Sequence, residues 1–141
     1  MKKLTLLLLG FCIFTGIYAQ NTNLEQEIKV IMESYGYELS TSQYAYISEG
    51  NTAYHYKTFY EGNDYAIIGF PEDNGVNDID LYLYDGDGTL LAEGSSEDNY
   101  EILEYTPYST REMKIVIENY DSDYSSTEYK VKFMIFWIES E

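Results

Sequence analysis

The chain has 141 residues, 25 of them acidic and eight basic, for a formal net charge of −17. A polyanion of this kind repels DNA, RNA and anionic membranes, and no cluster of Lys or Arg is present to contact phosphates. Apolar residues and 17 tyrosines still supply enough material for one core, so the charge does not imply disorder.

The N-terminus reads as an address label. Lys2 and Lys3 form a basic start, Leu4 to Ile17 an apolar run, and Ile17-Tyr18-Ala19 a small-residue cleavage site. An apolar run of about 14 residues is short for a bilayer, which needs roughly 20. The lone cysteine, Cys12, follows Phe11 where a lipidation signal needs a small residue. Residues 1–19 are therefore expected to be a signal peptide, leaving 20–141 as one domain that is secreted, periplasmic or held in the cell envelope. Without Cys12 the exported chain has no thiol, which excludes disulfides, thiol catalysis and zinc–thiolate sites.

A helix is predicted over about 23–35. Leu24, Ile28, Ile31, Met32 and Tyr35 share one face, Asn23 and Gln26 can form a capping box, and Gly36 suits the C-terminal cap. Glu25 and Lys29 are spaced to pair. From Tyr37 onward, short apolar segments alternate with Gly-, Asn- and Asp-rich turns. Strands are expected near 43–48, 53–60, 64–70, 78–84, 89–93, 100–105, 112–118 and 128–138. The last is apolar on both sides, with Val131, Phe133, Ile135 and Trp137 opposite Met134, Phe136 and Ile138. Such a strand belongs inside a sheet, with a helix or loop over its second face. The predicted class is mainly β: a single antiparallel β-sandwich with one short N-terminal α-helix.

Residues 78–91 are the most informative. Ile79, Leu81 and Leu83 alternate with Asp80, Tyr82 and Tyr84, and Asp85-Gly86-Asp87-Gly88 supplies a reversal before Thr89-Leu90-Leu91. Together with Tyr65 to Phe70, Glu101 to Thr106, Lys114 to Glu118 and Tyr129 to Phe136, this run resembles the bacterial pre-peptidase C-terminal domain over about residues 44–138. The resemblance implies a jelly-roll-like sandwich serving exported enzymes as a non-catalytic module. Relatives in collagen-degrading enzymes bind collagen and use calcium. Arg111-Glu112 replaces the family's usual Gly-Thr, so a differently shaped loop is expected there. No peptidase precedes the domain in this chain, so an accessory role would act in trans.

Two sets of residues are candidates for a site. Asp78, Asp80, Asp85 and Asp87 are hard oxygen donors of the kind calcium takes. One strand of about six residues separates the two pairs by roughly 20 Å, so they would make two half-sites completed by other loops. The competing reading is that the Asp-Gly pairs only form the turn and that Asp78 and Asp80 bond loop amides. Tyr82 and Tyr84 project from one face, as do Tyr54 with Tyr56 and Tyr44 with Tyr46. Such rings either stack on a ligand or pack across strands. The one histidine, His55, has no Gly-x-Ser-x-Gly elbow, zinc-ligand partner or phosphate loop to work with. The expected function is thus a non-enzymatic binding or accessory module, calcium the candidate ion, its partner an extracellular or envelope protein or glycan. The rival readings are a structural or inhibitor-like interaction protein and, less favoured, a small glycan hydrolase.

Overall fold

A computed structural model describes residues 23–141. The expected signal peptide, with its expected cleavage site and Cys12, lies outside them. The chain divides into two compact units, one running through Glu38 and the other spanning Leu39–Glu141.

In the first unit, α1 spans Leu24–Ser34 and buries Ile28 and Met32 on the predicted stripe. It ends as its glycine requires. Gly36 sits at φ 86° and donates to Glu33 O at 2.9 Å, while Tyr37 N donates to Met32 O at 3.1 Å, the paired closure of a Schellman motif. One local detail differs from expectation. Asn23 stands at the N-cap without a side-chain capping bond, the first turn being closed by its backbone carbonyl, to which Gln26 N donates at 2.8 Å. Lys29 approaches Glu33 at 3.7 Å, one turn onward.

The second unit is a β-sandwich of eight strands: β1 (Glu38–Ile47), β2 (Asn51–Phe59), β3 (Asn63–Pro71), β4 (Val76–Asp85), β5 (Leu90–Gly94), β6 (Glu101–Tyr105), β7 (Arg111–Ser122) and β8 (Tyr129–Glu139). Sheet I has the order β1-β8-β3-β6 and sheet II the order β2-β7-β4-β5. Strand 1 thus pairs with 8, 2 with 7, 3 with 6 and 4 with 5, the jelly-roll arrangement of one long ribbon folded across two sheets. Every connection but one crosses between the sheets. The exception is the β4–β5 hairpin.

That hairpin turns where its glycines permit. Gly88 N donates to Asp85 O at 3.0 Å and Asp85 N to Thr89 O at 2.8 Å, with Gly88 at φ 86°. A turn closed this way needs a left-handed residue at its last position, and glycine occupies it without steric cost. Between the sheets, Phe59, Ile79, Leu81, Leu83, Met113, Ile115 and Ile117 of sheet II meet Ile47, Tyr65, Ile67, Leu103, Val131, Phe133 and Ile135 of sheet I. β8 is internal, as its two apolar faces predict, and Ala66, Ile68, Phe70, Met134 and Phe136 on the other side of sheet I are buried as well.

Gly75 is the most constrained turn residue. It has φ 103°, and a Cβ there would lie 2.9 Å from the Tyr129 ring; at Gly50, φ 72°, the space is open. Both substitutions to alanine strain the backbone, but only one also meets a core side chain. Gly50→Ala should cost about 1 kcal/mol and Gly75→Ala about 2–4 kcal/mol in urea unfolding. Equal losses would mean that the ring simply moves aside.

Candidate functional site

The strand register brings together residues that lie far apart in sequence. On the outer side of sheet II, Tyr54 of β2 is opposite Val116 of β7, which is opposite Tyr82 of β4. One rung on, Tyr56, Lys114 and Tyr84 align in the same way. Two columns of tyrosines therefore flank β7, separated by two strand spacings, or roughly 9.6 Å. Within the columns the rings meet edge-on or tilted, at 5.7 Å for Tyr54–Tyr56 and 6.4 Å for Tyr82–Tyr84. Tyr54 and Tyr56 are 64% and 52% exposed, while Tyr82 and Tyr84 are half-buried. Lys114 Nζ lies 4.9 Å from the centre of the Tyr54 ring, a cation–π contact made on this surface. Tyr44 and Tyr46 of β1, also exposed, belong to sheet I, where Lys130 covers Tyr44 at 4.6 Å.

Acidic residues border the tyrosines. Asp80 lies opposite Glu118, and Glu93 opposite Tyr82. The Tyr82 hydroxyl donates to Asp80 Oδ2 at 3.2 Å. Burial, Asp80 and Glu118 all disfavour loss of the Tyr82 proton and push its pKa far up.

Asp78 occupies the irregular end of the same strand. The β4–β7 register shifts on either side of it, so the ladder is bulged here. Ile79 N donates to Asp98 O at 3.0 Å, and Asn77 Nδ2 to Asp121 Oδ2 and Asp123 Oδ1 at 3.0 and 3.2 Å. Asp78 Oδ1 is buried without a hydrogen-bond partner. Partial burial first, then Asp80, Asp121, Glu97 and Glu101, push the Asp78 carboxyl up to about 6. Asp80 is raised as well, chiefly by burial. The charged groups that act most strongly on Asp78 are themselves acidic. The donor set is all oxygen, which fits a hard cation. Among the described residues, however, no three acidic, histidine or cysteine side chains are grouped closely enough to hold one.

The two turn aspartates are placed otherwise. Asp85 Oδ1 accepts from Gly86 N at 2.7 Å, and Asp85 Oδ2 is paired with Arg111 Nη1. Asp87 Oδ1 accepts from Thr89 N at 2.9 Å, which helps hold its carboxyl below the usual range. Arg111 also donates to the hydroxyls of Tyr108 and Tyr105, at 2.8 and 3.3 Å, and stacks on the Tyr108 ring. The structure thus separates the two aspartate pairs, as strand length predicts. Sequence reasoning singled out Arg111 only as a replaced loop residue and missed its role as the partner of Asp85. Its position beside a departure from the family pattern was the available signal.

His55 faces inward on β2, its ring 5.7 Å from Phe133. Burial and then Lys57 lower its pKa, which favours the neutral imidazole. Lys57, on the same inner side of an edge strand, has its own pKa lowered by burial. Inward charges of this kind discourage pairing with another chain.

No protein-family model matches the chain, and no curated protein matches its sequence. Among solved structures, it is similar in fold to the pre-peptidase C-terminal domain of collagenase from Bacillus anthracis, with a TM-score of 0.53 and 12% identity, over 69% of this chain and 89% of that one. At that identity the likeness speaks for the sandwich alone.

The Asp78 environment gives a signed pH dependence. Its carboxyl binds a proton more tightly when folded (about 6) than at its ordinary value of 3.8, so this contribution to stability falls as pH rises through that window. Asp78→Asn should therefore raise stability at pH 7.5 by on the order of 1 kcal/mol, allowing for solvent screening. The gain should vanish near pH 4. A wild-type-minus-variant difference that is flat from pH 4 to 7.5 in urea unfolding would contradict it.

Proposed function

We propose that this protein is an exported, non-catalytic β-sandwich module that holds its partner on the outer face of sheet II. The observation that carries this reading is the register that sets Tyr54, Tyr56, Tyr82 and Tyr84 on one solvent-facing surface. Cross-strand packing accounts for Tyr82 and Tyr84 in part, since both are half-buried and Tyr82 is hydrogen-bonded. It does not account for Tyr54 and Tyr56, which leave more than half of their area in water at the sheet edge. Exposed tyrosines offer apolar area with a polar tip at low entropic cost, and they are enriched where proteins bind others.

The non-catalytic character is supported by the setting of the one histidine, which packs inward against Phe133. Export is supported by the leader-like N-terminus. The collagenase domain of like fold is consistent with an accessory module and makes a collagen-like triple helix a natural test ligand. No helix among the described residues is long and apolar enough to cross a membrane. The acidity of the chain argues against nucleic acid as a partner.

A second reading, calcium stabilisation, draws on the unpartnered Asp78 Oδ1 and the carboxylates around it. The Asp78–Asp80 end fits better than the hairpin end, where Asp85 is engaged by Arg111. Asp121 already lies opposite Asp78 in the ladder, and coordination there requires a third oxygen donor to close on the pair.

The platform is tested by following backbone amides by NMR during titration with collagen-like peptide, neutral oligosaccharide and basic peptide. The shifts should cluster on β2, β4 and β7 around the four tyrosines. Tyr54→Ala with Tyr56→Ala should remove them while changing stability by less than about 1 kcal/mol, as expected for exposed side chains. Shifts confined to another surface, or none with any ligand, would overturn the reading. For calcium, the expected result is a saturable rise in Tm relative to EDTA that magnesium does not reproduce and Asp78→Asn abolishes. Equal small shifts with both ions would indicate only screening.

A further inference from the structure

The tyrosine face has a shape and a charge that narrow its partner. Its two columns stand one on each side of β7, with Val116 and Lys114 between them. Within a column the rings come from alternate residues of a strand, about 6.6–7 Å apart along it. Alternate side chains of any extended peptide repeat at the same interval, and a width of roughly 9.6 Å admits one such chain. The surface is therefore a ribbed face, with Val116 buried between two of its rings, whose periodicity matches an extended polypeptide.

The charge selects among polypeptides. Glu93, Glu112 and Glu118 are accessible on this side of sheet II, where Asp80 is itself buried, and among the described residues Lys114 is the only basic one on the outer side of these strands. Lys114 places its ammonium 4.9 Å from the Tyr54 ring, so a tyrosine of this face already accepts a cation. The chain as a whole carries −17, which steers cationic partners toward it and repels acidic ones.

We propose that the tyrosine face of sheet II binds an extended, basic segment of another protein, whose alternate Arg or Lys side chains stack on Tyr54, Tyr56, Tyr82 and Tyr84 and end against Glu118 and Glu93. This rests on the reading of that face as the binding platform and names what occupies it. Lys114 acts as the internal competitor, its ammonium covering one ring until a guest cation displaces it.

The test is calorimetric titration of the protein with a ten-residue peptide alternating arginine and threonine. A glutamate–threonine peptide and a neutral soluble oligosaccharide serve as controls, and amide shifts locate each site. The arginine peptide should bind one to one, weaken with salt, and shift amides of β2, β4 and β7. Tyr54→Ala with Tyr56→Ala should weaken it at least about tenfold. Lys114→Ala should tighten it severalfold, an effect that a neutral ligand would not show. The tyrosine pair is exposed, so an unchanged Tm in that variant keeps the comparison sound. Peptide binding that survives the tyrosine changes would be bulk attraction to an acidic chain and would overturn the proposal. If the oligosaccharide shifts these amides and the arginine peptide does not, the platform stands and the basic partner falls. If neither ligand shifts them, both fall.

Discussion

The β4–β5 hairpin is the constraint on which the remaining topology depends. It is the only connection that stays within one sheet; the other six cross the sandwich, so each has to span the distance between layers before its strand can pair. Closing a short loop is entropically cheap, whereas the pairings 3 with 6, 2 with 7 and 1 with 8 enclose progressively longer stretches of chain. The hairpin is secured locally by Gly88 and by the aspartate bonds to Gly86 and Thr89. At longer range it is secured by Arg111, which ties Asp85 to the first residue of β7 and to Tyr105 and Tyr108. The arginine thus ties the central hairpin to β7 of the same sheet and to Tyr105 of β6 in the other, and a Gly-Thr in its place would have no charge to offer Asp85.

What the sequence made legible follows from where apolar periodicity is strong. All eight strands and the helix are visible as patterns, and the jelly-roll order is the one implied by the resemblance built on residues 78–92. The boundaries that differ are polar. β1 begins at Glu38 rather than near residue 43, because it lies at a sheet edge and Glu38, Ser40 and Gln43 stay in water. β7 continues past Glu118 to Ser122, since Asn119 and Ser122 take inner positions. Asn119 is fully buried and donates from Nδ2 to Ile47 O at 3.1 Å, stitching one sheet to the other where an apolar residue would leave that carbonyl bare.

The candidate surfaces were legible only in part. Alternation shows that Tyr54 and Tyr56 share a side, and likewise Tyr82 and Tyr84. That both pairs share the same side of the same sheet depends on β7 lying between their strands, which is long-range pairing that no local pattern encodes. The acidic residues divide in a way composition also conceals. At the hairpin, the carboxylates are satisfied by backbone amides and an arginine. At the bulged end, Asp78 faces Asp80, Asp121, Glu97 and Glu101 without a cation among them. Identical residue types make a turn in one place and a repulsive cluster in the other, and the difference lies in what the fold brings beside them.

The two sheets differ in what they leave to solvent, and this bears on where a partner can sit. The outer side of sheet I is apolar along β3 and β8 and is buried there. Its basic residues are also engaged: Glu72 takes Lys130 and Lys132 at 2.7 and 3.1 Å. Tyr44 and Tyr46 at its edge therefore lie beside an ion-paired network whose lysine already covers a ring. Sheet II has the opposite character. Its core side is filled by Ile79, Leu81, Leu83, Ile115 and Ile117, and its other side presents tyrosines and carboxylates. A surface needed only for solubility would be served by Lys, Glu or Thr at positions 54 and 56, which would spare the cost of leaving two aromatic rings in water. Aromatic residues in two aligned columns on the outer side of this sheet are what supports the proposal of a partner that removes them from solvent.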